Sequence, residues 1–249
     1  MCAGTFYFGM IFLSRGGGTG RRARLKIVWE QSRESSSLSP GTRIQEFIMH
    51  KEYVNEVRSF KKLLEALEPY VKKFELMLKE KKFPGCSLRP IEVWGNWLIC
   101  AVIRRYISGE VTFADGPSGD GIIVDKRDGS TRQTEHVSAT DNPFSPRDLP
   151  SGERRIIEAI EKKIALGSNY AEGSILIAFF DGAGEWYRNK VREAIGKHNF
   201  HKIYLIGLLT RDANGFAYSV TELHENNSIT FKVQINPDFS HWSVSRYPN

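Results

Sequence analysis

The stretch that most constrains the fold is residues 111–139, V-T-F-A-D-G-P-S-G-D-G-I-I-V-D-K-R-D-G-S-T-R-Q-T-E-H-V-S-A. Two β-type runs, 120–126 and 131–139, flank a short polar turn that contains Asp128-Gly129. An Asp-Gly step between alternating apolar residues is a strong local signal for a hairpin. With Asp128-Gly129 as a two-residue loop, Asp120 stands opposite Val137 and Glu135 opposite Ile122. Residues two apart on a strand share a face, so Glu135 and Val137 point one way and His136 the other. One carboxylate from each strand then meets on one face, within reach of a shared divalent cation.

The remainder of the 249 residues is long enough for one domain with a buried core plus a tail. Three widely spaced cysteines (Cys2, Cys86, Cys100) exclude a disulfide framework and a Cys-x-x-Cys metal site, and they suit a reducing cytoplasm. The formal charge of +6 is concentrated in residues 1–48, whose seven basic and three acidic side chains supply +4 of it. Bulk basicity is therefore a poor argument for nucleic-acid binding by the folded part, and any such argument has to come from a site. The longest early apolar run, residues 6–13, is too short to span a bilayer and has no basic segment before it, so neither a membrane span nor a signal peptide is expected.

Residues 1–48, rich in Gly, Ser and Arg, read as a disordered basic tail or as a non-native extension upstream of Met49. Residues 49–89 form an N-terminal helical segment, with an amphipathic helix over 53–81 bent or broken at Pro69. Residues 90–249 form an α/β domain. A helix over 90–107 leads to strand 111–114 and the hairpin. A loop with three prolines then precedes a helix over 152–166, with Ser151 as its N-cap. The continuous apolar runs S-I-L-I-A-F-F (174–180) and K-I-Y-L-I-G-L-L (202–209) read as strands buried on both faces, joined by a helix over 185–197. Residues 216–223 and 229–235 close the domain as a hairpin, followed by an irregular tail from 236.

The order α-β-β-β-α-β, with Pro117-x-x-Asp120 on the second strand and Glu135-His136-Val137 on the third, resembles the PD-(D/E)XK nuclease superfamily. The helix E-R-R-I-I-E-A-I-E-K-K and the later Y-A-E-G-S-I-L-I-A-F resemble the helix and buried strand that follow the motif there. The resemblance covers about residues 90–210. It implies a restriction-endonuclease-like mixed sheet flanked by helices, with an extra C-terminal hairpin here. It also implies a metal-dependent nuclease that hydrolyses phosphodiester bonds of DNA, in preference to RNA, with Mg²⁺ or Mn²⁺ held by Asp120 and Glu135. Hard divalent cations take oxygen ligands, typically one or two carboxylates completed by water and phosphate. They polarise the phosphoryl oxygens and lower the pKa of a bound water. No membrane partner is expected, and a second copy of the chain is the other partner to consider.

The sequence departs from the family pattern at Val137, which stands where the resemblance places a lysine that stabilises developing negative charge. Lys126 shares a face with Asp120, but six residues at about 3.3 Å each put it roughly 20 Å away along the strand. Lys163 is the better substitute, because it follows Ile156 and Ile160 on the sheet-facing stripe of its helix. Tyr170 shares that stripe if the helix continues past Gly167. Lys162 is assigned to an i, i+4 surface pair with Glu158. Glu92 is a further metal or water ligand in the resemblance, and its plain alternative is a first-turn carboxylate favoured by the helix dipole. Asp115 ranks after Asp120 as a ligand. His136 is assigned to packing, and His198 and His201 to the surface. With a valine at the lysine position, a catalytically inactive member of the same fold, binding nucleic acid or protein, is the alternative function.

Overall fold

The computed structural model describes residues 55–116, 120–142, 144, 150–180 and 185–247. The expected tail 1–48, Met49 and Pro117 of the first half-motif lie outside these residues, as does most of the proline-rich loop. The chain from Tyr53 to Asn249 forms one compact unit. It is mixed α/β, and among the described residues nine strands are arranged in the sheet in their sequence order. These are β1 (Asn55–Glu56), β2 (Val111–Asp115), β3 (Ile122–Asp125), β4 (Thr131–Ser138), β5 (Ile175–Phe179), β6 (Lys202–Asp212), β7 (Gly215–Leu223), β8 (Ser228–Ile235) and β9 (Trp242–Arg246). Strands β1 to β4 pair antiparallel, β4–β5–β6 parallel, and β6 to β9 antiparallel again.

Two parallel pairings in series require two crossovers. The first is α4 (Gly152–Ile164) with the short α5 (Ser168–Ala171), and the second is α6 (Arg188–Ile195). Parallel crossovers share one hand, so successive helices between adjacent strands taken in order fall on the same face. Ile156 and Ile160 of α4 and Val191 and Ile195 of α6 accordingly pack together over Leu176, Ala178, Ile203 and Leu205. The other face is covered by α1 (Phe60–Lys72), α2 (Phe74–Lys79) and α3 (Pro90–Tyr106). Thirteen of the seventeen residues of α3 are buried, which an amphipathic surface helix could not achieve. The sheet curls so that α3 touches β2 on one side and β7, β8 and β9 on the other. Trp94 and Trp97, stacked at 5.3 Å between ring centroids, fill the centre of that wrap.

The element order expected for residues 90–235 is present, and several local features of the chain differ from expectation. The hairpin turn has four residues, 126–129, because the Asp125 N–H donates to Ser130 O and the Gly129 N–H to Asp125 O, both at 2.9 Å. The side chains of Asp125 and Asp128 accept from the Arg127 and Ser130 N–H groups and stabilise this longer turn. The register therefore pairs Ile122 with Gln133, two residues from the expected alignment. Secondly, α1 passes through Pro69, and the break falls at Lys73 between α1 and α2. Residues 55–56, placed in a helix by periodicity, pair with β2, and Ser59 caps α1. Thirdly, Ser151 occupies the N-cap position of α4 without a side-chain cap bond. Fourthly, the tail beyond 236 forms β9, because Trp242 and Val244 alternate inward against the α3 core.

Among the described residues no helix is long and apolar enough to cross a membrane. If α3 is the pivot of the core, Trp97→Ala should cost about 3–5 kcal/mol of unfolding free energy in urea titrations followed by circular dichroism. The exposed Lys61→Ala should stay within about 0.5 kcal/mol of wild type.

Candidate functional site

Strand β4 is the central element of the site. Thr134 and His136 face α3, and Glu135 and Val137 face α4, as alternation requires. The antiparallel partner β3 begins only at Ile122, so the later part of β4 outruns it. At the junction the Asp120 N–H donates to Thr134 O (3.0 Å) and the Thr134 N–H to Gly121 O (2.8 Å). Two residues thus stand opposite one, which is the arrangement of a β-bulge. Gly121 has φ +130°, a conformation that side-chain-bearing residues rarely adopt. An added Cβ there would meet Asn96 Nδ2 at 2.5 Å and Thr134 Oγ1 at 3.1 Å.

The bulge turns the Asp120 carboxylate onto the strand edge that β3 leaves open. Its Oδ2 accepts the His136 N–H at 2.7 Å, replacing a ladder bond. The His136 ring, packed against Gly95, brings Nδ1 to 3.7 Å from the same oxygen. Asn96, fully buried in α3, donates to Asp120 O at 2.9 Å and fixes the bulge from behind. Burial acts to raise the Asp120 carboxyl, but the side chain and backbone of His136 and the charge of Lys163 outweigh it, and the net shift is downward.

On the opposite face, Glu135 is buried and would be costly there without partners. Lys163, in the last turn of α4, places Nζ 3.3 Å from Glu135 Oε2 and 2.6 Å from Tyr170 Oη. The Tyr170 hydroxyl donates to the same Glu135 oxygen. Helix α4 ends at Ile164, so Tyr170 does not arrive on a continued helix. Gly167, at φ +92°, reverses the chain into α5 and returns the phenol over Lys163. Val137 packs against the apolar layer that includes α4.

The structure brings Glu135 and Lys163 into direct contact, while Asp120 is held at His136 on the strand edge and is reached by the lysine only through its charge. Glu92 is placed in a capping box at the start of α3, where its carboxylate accepts from the Arg89 N–H (2.8 Å) and guanidinium. Its side chain lies one turn from Asn96 on the same helix face. Asp115 accepts from the N–H (2.7 Å) and hydroxyl of Ser87. Lys126 pairs with Glu56, far along the hairpin. Glu158 pairs with Arg154 at 2.9 Å, where a pair with Lys162 was expected. His136 is packed, His198 is half-buried and His201 is exposed. Sequence reasoning missed Asn96, although a lone amide in I-E-V-W-G-N-W-L-I-C is a polar group that must find a partner once buried.

Chemically, the ammonium of Lys163 pairs with the Glu135 carboxylate, and its charge also acts on Asp120. Asp120 Oδ1 and Glu135 Oε1 carry no hydrogen bond among the described residues, leaving each carboxylate one oxygen for a hard cation. Among the described residues no group of three or more His, Cys, Asp or Glu side chains is arranged around a common metal position. A cation here would therefore rely on these two carboxylates, with water and phosphate completing its shell, as Mg²⁺ commonly does. Comparison with protein-family models, with curated proteins and with solved structures finds no match to this chain.

The lowered Asp120 carboxyl contributes stability that is fully present above its ordinary value of 3.8 and is lost as pH falls through the folded value. Asp120→Asn should thus be less stable than wild type at neutral pH, and the difference should shrink on acidification below about pH 4. Urea midpoints measured at neutral and acid pH test this.

Proposed function

We propose that this chain is a metal-dependent nuclease of PD-(D/E)XK type, built on a restriction-endonuclease-like sheet and acting on DNA. In this reading Asp120 and Glu135 hold Mg²⁺ or Mn²⁺, and Lys163 supplies the cation that the family pattern places two residues after the glutamate. The observation that carries it is the contact of Lys163 with Glu135, made across 28 residues of sequence by a helix delivered onto the strand. The α-β-β-β-α-β order over α3 to β5 supports the same reading.

The bound cation would polarise the phosphoryl group and acidify a water. Everything else falls to the chain. Lys163 lies where its ammonium can offset charge that develops on the phosphoryl oxygens. Tyr170, between Lys163 and Glu135, keeps the lysine from swinging away and holds the glutamate rotamer. Asn96 and the Gly121 bulge fix the direction of the Asp120 carboxylate. Asp120 remains ionised through the neutral range because its carboxyl is shifted downward.

A second reading, a catalytically silent binder of nucleic acid or protein, is favoured by one observation. Val137, at the usual lysine position, is packed against apolar neighbours and contributes nothing to the cluster.

Nicking of supercoiled plasmid in Mg²⁺ or Mn²⁺ separates the two. Glu135→Gln, Asp120→Asn and Lys163→Ala should each lower the rate by about 100-fold or more, and Tyr170→Phe by less. Chelation should abolish nicking. Activity that survives the carboxylate substitutions contradicts the assignment. Binding of labelled DNA without any metal-dependent cleavage selects the silent reading.

A further inference from the structure

Behind the Asp120 bulge, three buried polar side chains keep atoms without a hydrogen-bond partner among the described residues. They are Oδ1 of Asn96, Oγ1 of Thr134 and both ring nitrogens of His136. Asn96 and Thr134 are fully buried, and the His136 side chain is 2 % exposed. Buried polar atoms are nearly always paired, so a cluster of unpaired ones beside a candidate ligand calls for an explanation.

Helix α3 departs from good helix chemistry at the same place. Gly95 stands inside the helix, where glycine is unfavourable relative to alanine. An added Cβ there would meet His136 Nε2 at 2.8 Å and Phe179 Cε2 at 3.0 Å. Gly95 thus admits the imidazole, as Gly121 admits Asn96 and Thr134, and adjacent residues of α3 serve the same bulge. A phenylalanine or leucine at 136 would fill apolar space without leaving nitrogens unpaired. Packing alone therefore does not account for a histidine here.

The two ring nitrogens face different surroundings. Nδ1 lies 3.7 Å from Asp120 Oδ2, the oxygen that already accepts the His136 N–H at 2.7 Å. Nε2 points at Gly95, which has no side chain to accept a proton. A neutral imidazole bears one N–H, so the proton belongs on Nδ1, facing the carboxylate. A shift of about 0.8 Å brings Nδ1 to ordinary hydrogen-bond distance from Oδ2. Backbone and ring donors then converge on Oδ2 and leave Oδ1 as the free oxygen.

We infer that His136 is a positioning residue for the cation site: its Nδ1–H donates to Asp120 Oδ2 and turns Oδ1 toward the metal. The inference rests on the proposed reading of Asp120 as a ligand, and it is read out by metal binding rather than by cleavage. Hydrogen-bond partners of metal-ligating groups fix the ligand's orientation and are worth about 10- to 100-fold in metal affinity.

The test is the Mn²⁺ affinity of the full chain without nucleic acid, from the electron paramagnetic resonance of the unbound ion. Asp120→Asn marks the site by removing the wild-type binding. His136→Phe, which keeps a ring in place, should weaken Mn²⁺ binding about 10- to 100-fold with little change in far-ultraviolet circular dichroism. His136→Asn carries an amide N–H at the Nδ1 position and should stay within about three-fold of wild type. His136→Gln carries its amide to the Nε2 position and should bind as weakly as His136→Phe. If His136→Phe does not fold, the Asn and Gln variants carry the comparison. The inference is overturned by equal affinity in wild type and His136→Phe, by Asn and Gln variants that bind alike, or by a wild type without Asp120-dependent Mn²⁺ binding. The expected ranking in a chain that never nicks DNA removes only the nuclease reading. Asp120-dependent nicking that all three His136 variants retain at the wild-type rate removes only the positioning role.

Discussion

The structure around the site depends on the burial of one carboxylate. Glu135 sits on β4, the strand where antiparallel and parallel halves of the sheet meet, and helices cover both faces there. A buried carboxylate without a partner is costly, and removing one member of a buried pair typically costs about 3–5 kcal/mol. The chain meets this demand with Lys163 and Tyr170, both carried by the crossover between β4 and β5. A helix ending at Ile164, a reversal at Gly167 and one turn of α5 are what bring both groups to a single oxygen of Glu135. Apolar residues of similar volume would stabilise the same position more simply, which makes the retained charges informative about function.

The second carboxylate has a different origin. Asp120 is held by a mismatch in strand length: β3 is four residues long and β4 eight, so the upper part of β4 needs another acceptor for its His136 N–H. The same bulge that supplies it needs glycine at 121, where an added Cβ would run into Asn96 and Thr134. Asp120 is thus both a structural cap and a candidate ligand through its remaining oxygen. Its two roles are compatible because they use different atoms.

Much of this was legible in the residues. The apolar runs of β5 and β6 are continuous because both faces are buried, and the Ile156–Ile160–Lys163 stripe identifies the lysine that faces the sheet. The hairpin register differs by two residues from the one a two-residue Asp-Gly loop implies, because the Asp125 and Asp128 side chains stabilise a four-residue turn. An even slip preserves the faces, so Glu135 still points at α4. Strand β9 was hidden because W-S-V-S is too short a pattern to stand out after an irregular turn. Asn96 and the return of Tyr170 are tertiary facts: the first depends on the sheet wrapping α3, and the second on the backbone reversal at Gly167.

The hairpin and the crossover thus meet at Glu135, and the proposed function stands or falls on whether Asp120 and Glu135 hold one cation beside Lys163. Anomalous scattering from crystals grown with Mn²⁺ and a short oligonucleotide tests it most directly. A single strong peak is expected about 2.1 Å from one oxygen of each carboxylate, with a phosphate oxygen in its shell. A peak elsewhere on the molecule, with the Asp120 and Glu135 carboxylates unbridged in the presence of bound oligonucleotide, would contradict it.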